Sequence, residues 1–499
     1  MNTKPDHLSR RKFLVSSLLA GGYAALPKSA RAAEPISLAT TTPQPTGPAD
    51  HTIRIGLGLV ELAPDHIVST VTYNGQFPGP LLRLQEGKPV TVNIHNDTDV
   101  PEQLHWHGQF VPVDVDGAAE EGTPYIPARG MRRITFTPGP AGLRFYHTHV
   151  TAGSDLSRGL YNGQAGPVYI EPKHEPGDYD REVFLVLKEF DPFFSRGGDM
   201  AQDFLAGSGV SELKETGEAA MQASLAKGMP HGYEVGYGAF AINGRMLGHG
   251  DPIRVKPNER ILFHIVNASA GEIRSLALPG HTFKVVALDG NPVPVPAEVP
   301  VLWIGTAERV SAIVEMKHPG VWVLGDLSDD DRKNGMGMVI EYAGRKGEPQ
   351  WKKPQPFHWD YTRFGKADAN APTADEVIEM TFAKGNAAAD RFNLWTINKV
   401  PFSMKTNEPR IHLDRGKRYR LRMRNASDDI HPIHLHRHSF ELIRIAGKST
   451  GGVMKDVVML GGYQEMEVDF VADRPGLSLF HCHQQLHMDH GFMVLFDTA

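Results

Sequence analysis

Residues 86–97 read EGKPVTVNIHND: Gly87, then the alternating run Val90-Thr-Val-Asn-Ile94, then Asn96 nine positions after the glycine. A turn glycine, a period-two run and an Asn-led turn make one strand with both of its ends. The same phrase returns twice. Asn258 stands nine residues before Asn267 in PNERILFHIVNAS, and Gly416 nine before Asn425 in RGKRYRLRMRNAS. Further along, each copy has a Gly-led apolar run: Gly142-Leu-Arg-Phe-Tyr146, Gly320-Val-Trp-Val-Leu324 and Gly476-Leu-Ser-Leu-Phe480. Spacings of 171 and 158 residues between copies predict three similar β-domains rather than a solenoid. Thr52–Leu59, Ile134–Thr137 and Glu182–Leu187 add further strand signals, and only Ser211–Ala226 has a convincing helical period.

Bulk composition agrees. At roughly 150 residues per domain, a chain of 499 residues holds about three. Hydrophobic content of 40% and charged content of 22% exclude wholesale disorder, collagen and coiled coil, and 51 Gly with 37 Pro suit short strands joined by turns. A net charge of −6 without a basic stripe argues against a nucleic-acid partner. One Cys excludes a disulfide scaffold, which a chain this long does not need.

The 24 His are unevenly spread. Nine and eleven residues after the marker Asn stand His105 and His107 in the first copy and His434 and His436 in the third. Five and seven after the marker Gly stand His147 and His149, then His481 and His483. At those offsets the middle copy has Leu276, Leu278, Gly325 and Leu327. The middle copy is therefore expected to contribute spacing and packing rather than chemistry. Residues i and i+2 of a strand project to one face, so each His-X-His pair aims two imidazoles the same way. Neutral imidazole suits copper, zinc, iron and nickel, and eight of them from two domains could enclose several ions between those domains.

Cys482 narrows the metal. It lies between His481 and His483, so its side chain leaves the opposite face of that strand, where His431 and His487 can join it. A His₂Cys set is the trigonal blue-copper arrangement.

The N-terminus reads as an address. Ser9-Arg10-Arg11-Lys12-Phe13-Leu14 precedes an apolar, small-residue stretch from Val15 to Leu26, and Ala30-Arg31-Ala32 offers a cleavage site. This is the layout of a twin-arginine export signal, with an apolar run too short for the ~20 residues of a membrane span. Cleavage after Ala32 would leave a mature chain of about −11, destined for the periplasm or otherwise exported. The expected divisions are a signal over 1–32, a Thr/Pro/Ala-rich tether over 33–50, domains over 51–173, 174–344 and 376–499, and a linker over 345–375.

At His105-Trp106-His107-Gly108, His147-Thr148-His149, His431-Pro-Ile-His434-Leu-His436 and His481-Cys482-His483 followed by His487 and Gly491, the chain resembles the multicopper oxidases, specifically their three-domain laccase-like group. The resemblance spans Asp50 to Ala499. It implies an all-β fold of three cupredoxin-like Greek-key sandwiches holding four copper ions. His431, Cys482 and His487 would hold the type 1 copper, and His105 and His434 the type 2 copper. His107, His147, His149, His436, His481 and His483 would hold the type 3 pair. It further implies that a small phenolic or aromatic reductant gives electrons at type 1 and that dioxygen becomes water at the other three coppers.

Dioxygen reduction consumes protons, and Asp116, in Val-Asp-Gly, matches the family's acid at that place; without that role Asp-Gly would be a hairpin turn. Asp489 could assist or be a solvated loop acid. His438 and His490 match no ligand position and are expected to face solvent or support the ligands. Many bacterial relatives place an axial Met ten residues after the Cys; here that residue is Phe492, with Met493 next. A non-coordinating Phe492 at the type 1 site should raise its reduction potential, whereas Met493 would need a bulge to reach the metal. Two alternatives remain: a cuprous or other metal-ion oxidase, against which Met200, Met221 and Met229 are scattered rather than clustered, and a copper-free structural relative acting in cell division, against which every ligand position is filled.

Overall fold

The three marker strands occupy the same place in three β-sandwiches. In a computed structural model describing residues 47–174, 178–195, 232–367, 372–385 and 392–499, Val90–Asn96 pairs in parallel with His51–Ala63, Arg260–Asn267 with Arg181–Ser195, and Arg418–Asn425 with Glu376–Gly385. On their other sides they pair antiparallel with Met131–Phe136, Arg309–Glu315 and Glu465–Val471. The expected signal, almost all of the tether, the Ser211–Ala226 helix and Met200, Met221 and Met229 lie outside the described residues.

Each of these sheets is matched by a second one. In the first domain that sheet runs Leu82–Gln85, Ala165–Glu171, Gly142–His147, His105–His107; in the third it runs Arg410–Leu413, Met493–Thr498, Gly476–Cys482, His431–Leu435, Val457–Leu460. The first core shows how the layers meet: Ile53, Ile55, Val92 and Ile94 of one sheet cluster with Leu84, Trp106, Tyr146 and Val168 of the other. The architecture is all-β, as expected, and among the described residues no helix is long and apolar enough to cross a membrane.

The repeated letters have a structural reason. Asn96, Asn267 and Asn425 are buried and do the same job. Each side-chain amide donates to loop carbonyls: Asn96 to Val100, Ile126 and Pro127, Asn267 to Glu272 and Ile304, Asn425 to Asp429 and Gly461. Each side-chain oxygen accepts from the backbone two residues on, at Thr98, Ser269 and Ser427. A buried amide so satisfied pins the loop that leaves the strand. The markers nine residues earlier turn the chain with positive φ: Gly87 at 76°, Asn258 at 65° and Gly416 at 86°. Asn is a residue that tolerates that region, which is why it can replace glycine in the middle copy.

The His-bearing strands come together at sheet ends. His105 stands opposite His147, and His434 opposite His481. In the middle copy Leu276 stands opposite Asp326 and Ala277 opposite Gly325, one residue out of that register. The stretch expected to be a linker, 345–375, has no strand among its described residues, yet it is packed: Trp359, Tyr361 and Phe364 are buried in the large core shared by the second and third domains.

Candidate metal centre

Eight imidazoles from the first and third domains converge on one buried space. Potential ligand atoms of His107, His147 and His483 lie within 4.8 Å of one another, as do those of His149, His436 and His481, and those of His105, His107 and His434. His107 Nδ1 comes within 3.2 Å of His147 Nε2, and His436 Nε2 within 3.0 Å of His481 Nε2. The rings of the two domains stack on each other, His105 on His436 at 4.1 Å and His107 on His434 at 3.9 Å.

The outward-facing nitrogens are tied down. Nδ1 of His105 meets the Asp116 carbonyl at 2.8 Å, His147 the Thr148 carbonyl at 2.7 Å, His434 the Asp456 carbonyl at 2.7 Å and His481 the Cys482 carbonyl at 2.9 Å. His436 Nδ1 meets the Asp116 carboxylate at 2.8 Å. Meanwhile Nε2 of His105 and His434, and both ring nitrogens of His149 and His483, are buried with no hydrogen-bond partner among the described residues. Buried polar atoms are normally satisfied, and a ring oriented through one nitrogen with the other left bare is how metal-ligating histidines are held. Burial keeps His107, His147, His434, His436, His481 and His483 neutral by pushing their pKa values well below the usual range. Neutral imidazole is the ligating form. The donor set fits copper.

On the opposite face of the Gly476–Cys482 strand, Cys482 Sγ lies 3.6 Å from His431 Nδ1 and 3.5 Å from His487 Nδ1. The Gln485–Asp489 helical turn brings His487 back to the cysteine, and Ser427 fixes the far nitrogen of His431 at 2.8 Å. All three are buried. Burial lowers His431 to about 3 and pushes the Cys482 thiol up, and a bound cation would favour the thiolate instead. Phe492 sets its ring 4.8 Å from His431, whereas Met493 points into a separate cluster with Phe402, Leu479, Met488 and Leu495.

Asp116 does not make a hairpin. It ends the short helix Val113–Asp116, and its carboxylate reaches both His436 Nδ1 and, at 3.1 Å, His105 Nδ1. Asp489 is half-buried rather than solvated: it accepts from the Ala152 and Gly153 amides at 2.9 and 2.7 Å and from Gln485 at 2.8 Å, and burial raises it to about 7. His438 is buried, with Nδ1 on the His436 carbonyl at 3.1 Å, while His490 is half-buried against Phe392.

Four contributors escaped the sequence reading. Glu121 lies 3.3 Å from His436 Nδ1, accepts from Leu479 N, and is held well above the usual carboxylate range by burial and then by Asp116. Glu120 lies 3.5 Å from His149 Nδ1. Their adjacency to Asp116 in VDVDGAAEEG was a usable signal. Trp395, its ring tilted against His487 at 4.1 Å, and Asp456, 3.1 Å from His107 Nε2, come from distant segments with no local motif.

Family descriptions of multicopper oxidase domains match residues 59–175, 212–340 and 370–499. The chain is 32% identical to the multicopper oxidase MmcO of Mycobacterium tuberculosis, over 96% of this chain and 91% of that protein. It is 25% identical to the bilirubin oxidase of Albifimbria verrucaria, over 91% and 75%. Among solved structures, the multi-copper oxidase from Pseudomonas thermotolerans superposes with a TM-score of 0.66 at 24% identity, covering 91% of this chain and all of that one.

Proposed function

Because the chain belongs to the multicopper oxidase family, and so is a copper-dependent oxidoreductase, we propose that it acts as a laccase-like oxidase of small phenolic or aromatic reductants. Four coppers are assigned: one to His431, Cys482 and His487; one to His105 and His434; one to His107, His147 and His483; one to His149, His436 and His481. When bound, copper supplies one-electron chemistry at the cysteine site and four-electron reduction of dioxygen to water at the histidine cluster.

The observation that carries the reading is the strand around Cys482. Its thiol meets His431 and His487 on one face, while its bonded neighbours His481 and His483 send their rings to two different trios on the other. The backbone of three consecutive residues thus joins an electron-entry site to the dioxygen site. The remaining residues orient and protect. Buried imidazoles exclude bulk water, the Asp456 and Cys482 carbonyls fix ring directions, and Asp116 sits within hydrogen-bond reach of ligands from both domains, where an acid can deliver protons. A phenyl ring rather than a thioether beside His431 favours a high-potential site suited to phenols. The Arg10-Arg11 leader supports export by the twin-arginine machinery to the periplasm.

The test is Cys482→Ser in copper-loaded protein. The blue thiolate band and substrate oxidation should vanish while three coppers remain; retention of full oxidase activity would sink the reading. A panel of a phenol, ferrous ion and cuprous ion under one set of conditions then separates laccase-like turnover from metal-ion oxidation.

A further inference from the structure

His107 is held the opposite way round from five of its neighbours. His105, His147, His434, His436 and His481 are tied through Nδ1, but His107 turns Nδ1 inward to His147 and presents Nε2 outward to Asp456 Oδ1 at 3.1 Å. No backbone carbonyl stands in for Asp456 there. A carboxylate at 0% exposure is costly unless a cation answers it. The closest cation comes from the middle domain: Arg309 grips both oxygens, Nη1 to Oδ1 and Nη2 to Oδ2, each at 2.6 Å, while Arg144 of the first domain reaches Oδ2 at 3.4 Å. Such two-pronged pairs fix direction as well as charge.

Arg309 is itself braced. It donates to the carbonyls of Ala307 at 3.0 Å and Asp289 at 3.2 Å, and its amide donates to Asp289 Oδ1 at 2.9 Å. Asp289 Oδ2 in turn accepts from the amides of Asp456 and Val457 at 3.2 and 3.0 Å and pairs with Lys455 at 3.0 Å. The middle domain thereby holds the segment 455–457, whose Asp456 carbonyl also orients His434. Gly108 shows how tight the junction is: a Cβ there would lie 2.6 Å from Arg309 Nη2 and 2.8 Å from Asp456 Oδ2. A side chain beside His107 would collide with the clamp.

We infer that Arg309 is a positioning residue for the metal cluster: by clamping Asp456 it fixes His107 with Nδ1 toward His147 and His483. The domain without ligands thus acts on the ligands, through the Arg309–Asp456 pair on His107 and through Asp289 on the segment that orients His434. The inference rests on the proposed reading of His107 as a copper ligand.

The test uses the full chain loaded with copper and compares Arg309→Met, Arg309→Lys and Asp456→Asn with Arg274→Met. Arg274 is a buried arginine of the same domain, paired with Asp331 at 2.5 Å rather than with Asp456. The readouts are copper retained against a chelator, the near-ultraviolet absorption of the paired coppers, the blue band and Tm. Loss of an outer partner of a metal-bound histidine typically weakens retention by about 10- to 100-fold. That loss is expected for the paired coppers in Arg309→Met and Asp456→Asn, with the blue band intact. Arg309→Lys, which keeps the charge without the fork, should fall between them and wild type. Arg274→Met should lower Tm and leave both bands alone. Retention in Arg309→Met within about twofold of wild type, with an unchanged near-ultraviolet band, overturns the inference; a factor that small is below what such partners contribute. If Arg309→Met does not fold, the near-isosteric Asp456→Asn decides by the same criterion. A wild-type protein with copper confined to the Cys482 site would instead sink the ligand reading of His107.

Discussion

The outer copies and the middle copy share a frame and differ in what hangs from it. In all three a buried Asn pins the loop after the marker strand, and a left-handed residue opens that strand. At the offsets where the outer copies carry buried imidazoles, the middle copy carries Leu276, Leu278 and Leu327, equally buried in its own core. The swap goes with a one-residue change of pairing, Leu276 facing Asp326 where His105 faces His147. The Asn and Gly positions thus specify the sandwich; the His offsets specify the site, and they can be blanked without losing the sandwich. Fold and chemistry are separately encoded.

The harshest way to break this comparison is to give an outer copy the middle copy's residue. His434→Leu puts at a fully buried position the side chain that Leu276 shows the frame accepts. The variant should fold, keep the blue band of the Cys482 site, lose one copper per chain by metal analysis, and reduce dioxygen only at background rate. Retention of four coppers would mean that His434 is not a ligand and that the offset carries no chemistry.

Legibility followed the same division. Repeats and His offsets are local in sequence, so the three sandwiches and the convergence of His105, His107, His147, His149, His434, His436, His481 and His483 could be read from spacing. Cys482 could be placed opposite its neighbours because a strand alternates faces. What could not be read comes from contacts between distant segments: Asp456 on His107, Trp395 on His487, and Arg309 on Asp456 span domains and leave no periodic trace. The expectation that the middle copy supplies spacing and packing rather than chemistry did not single out Arg309 for the same reason, since a repeat alignment compares equivalent positions and Arg309 has no counterpart among the paired His. Asp489 could be solvated or buried from its loop setting alone; the amides of Ala152 and Gly153 decide it.

Within the third copy, Phe492 and Met493 sharpen the comparison on a smaller scale. They are adjacent, and alternation sends them to different clusters, Phe492 toward His431 and Met493 toward Leu479 and Leu495. Phe492→Met would add a weak, electron-donating thioether that favours the oxidised ion, so the potential should fall. For a one-electron site about 59 mV is a tenfold change in equilibrium, and a fall of that order is expected. Turnover of phenols that are hard to oxidise should drop more than that of easy ones. Met493→Leu should leave the potential unchanged; a rise there, with no change in Phe492→Met, would make Met493 the axial neighbour.

The smallest effect should come from the middle copy's own histidines. His264 holds Ser311 Oγ at 2.8 Å and stacks on Phe184, while His281 sits between the Pro279 carbonyl at 2.9 Å and the Tyr342 hydroxyl at 2.6 Å. Both make local contacts, so His264→Gln and His281→Gln should leave copper content unchanged. His281 nevertheless predicts a pH effect. Burial, more than the neighbouring His318, pushes its pKa below the usual value, and the Pro279 hydrogen bond only partly opposes this. A base whose folded pKa is depressed contributes stability that is fully present above its unfolded pKa, about 6.5, and is lost as pH falls from there toward the folded value. The Tm of copper-loaded wild type should therefore drop more between about pH 7.5 and pH 5.5 than that of His281→Gln, which has no proton to gain. The difference between the two slopes isolates this residue from other groups titrating in the same range. Equal slopes would mean that His281 is not forced neutral, and loss of a copper from either Gln variant would show that the middle copy is not blank.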